Sequence, residues 1–180
     1  MFMKLSKFFV LLSIVFVMTT GSAKAQELPI TIVDLQYIMR ESKAAKSIQD
    51  QISKMRDKYK KELQEKEEDL KEKEKELIEK RKVLQGEDFE KLRKDFEKDV
   101  ITVQKQVRGK QVELDRAFSQ AMDEVRAEAV KIIATMAEQR GASLVLPRQN
   151  IIIVDQSLDI TRDVVSKLDA TLDSVDVDVE

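Results

Sequence analysis

The side chains able to do chemistry in this chain are almost all carboxylates, ammonium groups and guanidinium groups: 34 Asp and Glu against 32 Lys and Arg, with no His and no Cys. Without imidazole or thiol, the usual transition-metal ligands and most nucleophile–base pairs are missing. No GxxxxGK(S/T) or GxGxxG loop is present to cradle a nucleotide phosphate. A carboxylate-only active site needs a pocket built from loops or layered elements, and four Gly and two Pro in 180 residues leave little material for loops. The chain is therefore not expected to be an enzyme, and no cofactor or metal is expected. The chemistry these groups can do is charge pairing. Glu62–Lys66, Glu67–Lys71, Asp69–Lys73 and Glu76–Lys80 are each spaced i,i+4, and such a pair stabilises a helix by about 0.3–0.5 kcal/mol. Lys43 to Arg140 carries 25 basic and 23 acidic residues, and Gly141 to Glu180 carries 3 and 8. Neither is the one-signed basic face of a nucleic-acid binder.

The elements that hold these charges read as long helices. Charged residues make up 37% of the chain and aromatics 5%, a profile of extended helix or coiled coil. Lys43 to Leu84 contains no Gly or Pro, and Ser42 is placed to cap its start. Ala45, Ile48, Ile52, Met55 and Tyr59 form a seam with three–four spacing. Leu63 comes four residues after Tyr59 rather than three, a stutter that locally unwinds a supercoil. Beyond it, Leu63, Leu70, Leu77 and Leu84 alternate with Lys66, Lys73 and Lys80 along the seam, so half of the distal seam is lysine. Gly86 is read as the left-handed end of this helix and Asp88 as the cap of the next. So short a connection makes the two helices an antiparallel hairpin with its tip at 85–88. The return helix, Phe89 to Arg140, has a fuller seam: Phe89, Leu92, Phe96, Val100, Val103, Val107, Leu114, Phe118, Ala121, Val125, Ala129, Ile132 and Met136. Gly109 interrupts it as a flexible point. At 1.5 Å per residue the shared arm is roughly 60 Å long.

Both ends of the chain form a head. Pro29 to Asp34 reads as a strand and Leu35 to Met39 as one helical turn. Ala142 to Leu146 and Asn150 to Asp155 read as two further strands joined at Pro147-Arg148-Gln149, the second buried on both faces. Asp159 caps a last helix, Ile160 to Leu172, and Ser174 to Glu180 is an acidic, loose tail. Three short strands and one helix are too little for an independent core. Several copies sharing one core resolve this, with Ile30, Ile32, Leu144, Leu146, Ile151, Ile152, Ile153 and Val154 as the oligomer core. At the N-terminus, Lys4 and Lys7, the apolar run Phe8 to Met18 and Ala23-Lys24-Ala25 read as a signal peptide cleaved before Gln26; the run is short for a membrane anchor. The domain plan is thus a signal peptide at 1–25, a head at 26–42 and 141–175, an arm at 43–140 and a tail at 176–180.

The stretches IVDLQYIMRESKAAKSIQDQI and AEQRGASLVLPRQNIIIVDQSLDITRDVVSKLD, with a charged hairpin between them, resemble the Skp/OmpH family of periplasmic chaperones. The most specific parts are Val33-Asp34, Glu41-Ser42-Lys43 and Leu158-Asp159-Ile160-Thr161. The resemblance implies a mainly helical fold with a small β part. Its hairpins are inserted in a head that trimerises into a β-barrel body, with three arms around a cavity. It also implies a soluble periplasmic protein that holds unfolded outer-membrane proteins without ATP, and contact with lipopolysaccharide or an anionic membrane surface at no assigned residue. Well-known members are strongly basic, whereas this chain has a sequence pI near 5.5. On that footing a weakened distal seam leaves Phe89, Leu92 and Phe96 as candidate client contacts; ordinary hairpin core is the competing assignment, with the lysine stems lying along the seam. Lys80, Arg81, Lys82, Arg93 and Lys94 are candidates for client or anionic-surface contact, against a plain solvated face. The other functional class is a periplasmic structural or adaptor coiled-coil protein.

Overall fold

The computed structural model describes residues 29–84 and 86–179; the signal-peptide reading lies outside them. The element order is β1 (Ile30–Val33), α1 (Leu35–Glu41), α2 (Lys43–Lys80), α3 (Glu87–Gln139), β2 (Leu144–Pro147) and α4 (Thr161–Thr171). The hairpin of α2 and α3 is thus inserted between two strands that pair in parallel, Ile30 opposite Leu144 and Val33 opposite Pro147. Parallel strands need a long crossover, and here the whole arm supplies it. No helix among the described residues is long and apolar enough to cross a membrane.

Local chemistry sets the boundaries. Asp34 caps α1 by accepting the Tyr37 N–H at 2.8 Å. Ser42 ends α1 and caps α2, its hydroxyl accepting the Ala45 N–H, while its extended backbone turns the chain between them. At the tip the sequence expectation is corrected. Gly86 has a positive φ of 72°, but it precedes α3 rather than ending α2. Asp88 lies inside the first turn of α3 with Glu87 and Glu90, where carboxylates favour the helix dipole without acting as caps.

The core sits where the arm meets the head. Val33, Ile38, Ile48, Ile52, Leu114, Val125, Ile132, Ile160, Val164 and Leu168 are buried in one cluster. The expectation of too little apolar material for a core within one chain is overturned. It counted only the strands and the last helix, whereas the root of the hairpin packs into the same cluster. Between Ile52 and Leu114 no described residue is buried.

Two more expectations fail in the head. Ile151 to Val154 forms no strand: a turn of 3-10 helix at Arg148–Asn150 leads into irregular backbone. Ile152 and Ile153 are 94% and 87% exposed, because nothing among the described residues pairs with them. The tail is not loose. Val175 and Val177 are 6% and 5% exposed and belong to the core cluster, with Val179 packed against it. Apolar residues at every second position let an extended segment bury one face despite its acidic residues.

Candidate functional site

The residues that carry the family resemblance close the head. Asp34 donates its N–H to the Thr161 hydroxyl at 2.8 Å. Asp159 accepts the Thr161 N–H at 2.9 Å, and the Ile160 N–H reaches the Ile32 carbonyl at 2.9 Å. Lys43 donates its N–H to Asp169 at 2.8 Å. The end of β1 is thereby tied to the start of α4, and the start of α2 to the last turn of α4, across more than a hundred residues of chain. Beside this clamp lies an open cleft of about 580 Å³. Several of its polar groups are engaged within the fold: Arg140 holds Asp163 at 3.0 Å and the Ser157 carbonyl at 3.1 Å, and Arg148 donates to the Ile151 carbonyl. The cleft is therefore a braced part of the head, and among the described residues no group of acidic side chains is arranged to hold a metal.

The arm changes character along its length. Near the root, Ala44, Ala45, Ile48 and Ile52 of α2 face Leu114, Ala117, Ala121, Val125, Ala129 and Ile132 of α3, all buried. At Tyr59 and Leu63, where the seam stutters, the helices leave a side groove of about 270 Å³. Leu63, Val103, Val107 and Leu114 make its apolar floor, with Arg56, Lys60, Lys66 and Lys110 around it. The Lys110 ammonium stands 5.1 Å from the centre of the Tyr59 ring, within cation–π range. Glu113 beside it raises the Lys110 pKa through a hydrogen bond. Sequence spacing had flagged the stutter but not the groove that opens there.

Farther out, Phe89, Leu92 and Phe96 are only half-buried. The seam lysines behave in two ways. All three are exposed, but Lys73 pairs across the hairpin with Asp99 of α3, which raises the Lys73 pKa, whereas Lys66 and Lys80 are in none of the ion pairs of the described residues. The i,i+4 pairs expected at Glu62–Lys66, Glu67–Lys71, Asp69–Lys73 and Glu76–Lys80 are absent from the ion pairs of the described residues. Lys58–Glu62, at 3.9 Å, is the i,i+4 pair that α2 forms there. Of the basic residues flanking the tip, Lys80, Arg81, Lys82 and Lys94 are exposed. Arg93 is committed to Glu90 and Glu97 on its own helix, and this pairing holds the Glu90 carboxyl below the usual glutamate range. The structure thus brings four of the five cations to the surface near the tip and takes Arg93 out of that set.

Of the residues assigned to an oligomer core, Ile32 is buried within the single chain. Leu146, Ile151 and Val154 are half-buried. Ile30, Leu144, Ile152 and Ile153 are exposed, the first two side by side in the strand register.

The sequence matches a family described as outer membrane protein (OmpH-like) over residues 29–168. Among solved structures, the fold is similar to that of a candidate OmpH-like outer membrane chaperone from Caulobacter crescentus CB15. The TM-score is 0.79 at 20% identity, covering 84% of this chain and 90% of that one. At that identity the likeness speaks for the fold. No curated protein gives a significant sequence match.

Proposed function

The chain belongs to the OmpH-like outer membrane protein family, and from that premise we propose that it is a periplasmic holdase that keeps unfolded outer-membrane β-barrel proteins from aggregating. The observation that carries this reading is the loss of buried contacts beyond Ile52 and Leu114. An arm that is helical but only half-buried along its distal seam can splay around clients of different size, and it offers Phe89, Leu92 and Phe96 half-open. Binding of this kind uses no nucleotide. The exposed Lys80, Arg81, Lys82 and Lys94 supply a basic surface near the tip for acidic client segments or an anionic lipid headgroup, lipopolysaccharide included.

The working unit in this reading is a homotrimer with three arms around a cavity and the strands joined in a shared β-barrel body. The exposed Ile152 and Ile153 support it. Two neighbouring isoleucines at such exposure form an apolar patch of the kind that marks a protein interface. Light scattering of residues 26–180 is expected to give three times the chain mass. Ile153→Asp is expected to reduce it to that of the monomer while leaving helical content intact, because Ile153 contributes little to the core of a single chain. An Ile153→Asp protein that stays trimeric refutes the shared body.

The activity is tested by diluting a denatured outer-membrane β-barrel protein out of urea and following turbidity without ATP. Suppression that saturates at a fixed oligomer-to-client ratio is expected. Turbidity unchanged by the protein would refute the holdase reading and leave a structural or adaptor role.

A further inference from the structure

The tail that packs on the root of the arm is patterned. Val175, Val177 and Val179 occur at every second position, with Asp176 and Asp178 between them. The two aspartates are exposed, while Val175 and Val177 are buried in the cluster that contains Ile48 and Ile52 of α2. The segment is therefore an extended chain with one apolar face, and it lies past the end of the family match at residue 168.

Gln51 of α2 holds its backbone at two points. The side-chain amide donates to the Val175 carbonyl at 2.8 Å and accepts the Val177 N–H at 3.1 Å. These are the two bonds that a residue of a parallel strand, placed opposite Asp176, would make to the residues on either side of it. One glutamine side chain thus substitutes for a strand edge. Recognition uses backbone groups and small branched side chains on one face. The residues between are in water, so their identity is free.

We propose that this surface is a seat for extended segments with branched apolar residues at alternate positions, that the chain's own tail is its resident occupant, and that a strand-forming segment of an unfolded outer-membrane β-barrel protein takes the seat by displacing the tail. Transmembrane β-strands alternate apolar and polar residues with this same period of two. Backbone pairing with pockets for alternate side chains is also how extended peptides are read elsewhere. The inference rests on the holdase reading and adds to it a pattern that the site selects. The tail acts as an internal competitor: if it is docked about 90% of the time, a free segment binds the seat about tenfold more weakly than when the tail is removed.

The test uses the full chain from residue 26, with amide hydrogen exchange read at Val177 and methyl signals at Val175 and Val177. The probes are a denatured outer-membrane β-barrel protein, the peptide Ser-Val-Asp-Val-Asp-Val-Glu and its permutation Ser-Val-Val-Asp-Asp-Val-Glu, in which no two valines stand two positions apart. The protein and the alternating peptide are expected to speed exchange at Val177 at least tenfold and to move both methyl signals toward solvent-exposed positions. The permuted peptide is expected to do neither. Removal of residues 174–180 is expected to tighten binding of the alternating peptide about tenfold, and Gln51→Ala in that shortened chain to abolish the gain. A client that binds with Val177 and the methyl signals unchanged would overturn the seat and leave the holdase reading standing. Equal effects of both peptides would also overturn it. A chain that binds no client at all would overturn the holdase reading and the inference with it.

Discussion

The two halves of the hairpin are the same pair of helices, yet they are held together differently. At the root, small and branched residues interlock: Ala44, Ile48 and Ile52 with Ala121, Val125 and Ala129, all buried in one cluster. Beyond Tyr59 the helices continue without a break, but leucines alternate with lysines and no described side chain is buried. Helical conformation and tertiary packing are separable here. Strong helix formers such as Glu, Lys and Leu sustain the distal turns, and cross-hairpin contacts such as Lys73 to Asp99 stand in for a core. Exposed pairs of this kind contribute little each, so the distal arm stays helical while remaining easy to open.

The largest expected effect tests that contrast directly. Ile48→Ala removes a fully buried side chain from the root and is expected to cost about 2–4 kcal/mol. Leu77→Ala, at a half-exposed position of the distal seam, is expected to cost less than about 1 kcal/mol. Urea unfolding followed by circular dichroism measures both. Equal costs would mean that the distal seam is as well packed as the root.

A gain-of-packing change comes next. Lys66→Leu with Lys73→Leu restores apolar residues at two seam positions and is expected to add about 1 kcal/mol of stability, from partial burial of the new side chains. Slower amide exchange between residues 60 and 105 would register the stiffening, and client capture is expected to fall with it. A stiffened arm that captures clients as well as before would disconnect looseness from function.

How far the sequence carried these conclusions depends on the kind of interaction. Apolar periodicity places Ile48, Ile52, Val125 and Ile132 in the core, because side-chain direction follows helix period. Ser42 was legible as a cap for a similar reason: capping acts within three residues. Lys73 was assigned Asp69 as its partner, one turn away, but it reaches Asp99 on the facing helix. Long flexible side chains choose among neighbours that only the fold brings close. Ile151 to Val154 misled differently. An unbroken apolar run signals burial, but the run does not say what buries it, and no described residue covers Ile152 and Ile153 at its centre. The tail was read through its charge, which hid the alternate valines. The Asp34–Thr161 bond of the clamp was visible only as a resemblance, since it joins residues 127 positions apart, whereas Asp159, two residues from Thr161, was legible as a local cap.

A smaller effect concerns charge near the tip. Replacing Lys80, Arg81, Lys82 and Lys94 by Gln is expected to weaken client binding severalfold at low salt and to flatten its salt dependence, since exposed charges act through a field that salt screens within about 10 Å at 0.1 M. Adding Arg93→Gln is expected to change little more, because Arg93 is already held by Glu90 and Glu97. Affinity titrations from low to high salt check this. A parent protein whose affinity does not depend on salt would remove the tip cations from recognition.

The smallest effect lies at the first turn of α3, where the contrast between packed and unpacked helix is at its extreme. Gly86 offers no side-chain cap there, so the turn relies on Glu87, Asp88 and Glu90 against the helix dipole and on the pair from Glu90 to Arg93. That pair holds the Glu90 carboxyl below its ordinary value. A depressed carboxylate stabilises the folded turn above the unfolded glutamate pKa, and the contribution disappears as pH falls through the lower folded value. The turn is therefore expected to be unaffected between pH 6 and 8 and to fray below the ordinary glutamate range (about pH 4.3). Root helices, held by apolar contacts, keep their order over the same interval. Backbone amide chemical shifts of residues 88–92, recorded against those of residues 121–133 down to pH 3, read the difference. Arg93→Gln is expected to shift the fraying toward higher pH. Fraying of both regions at the same pH would show that the tip and the root share one stability, and the division of the arm into a packed and an unpacked half would fail.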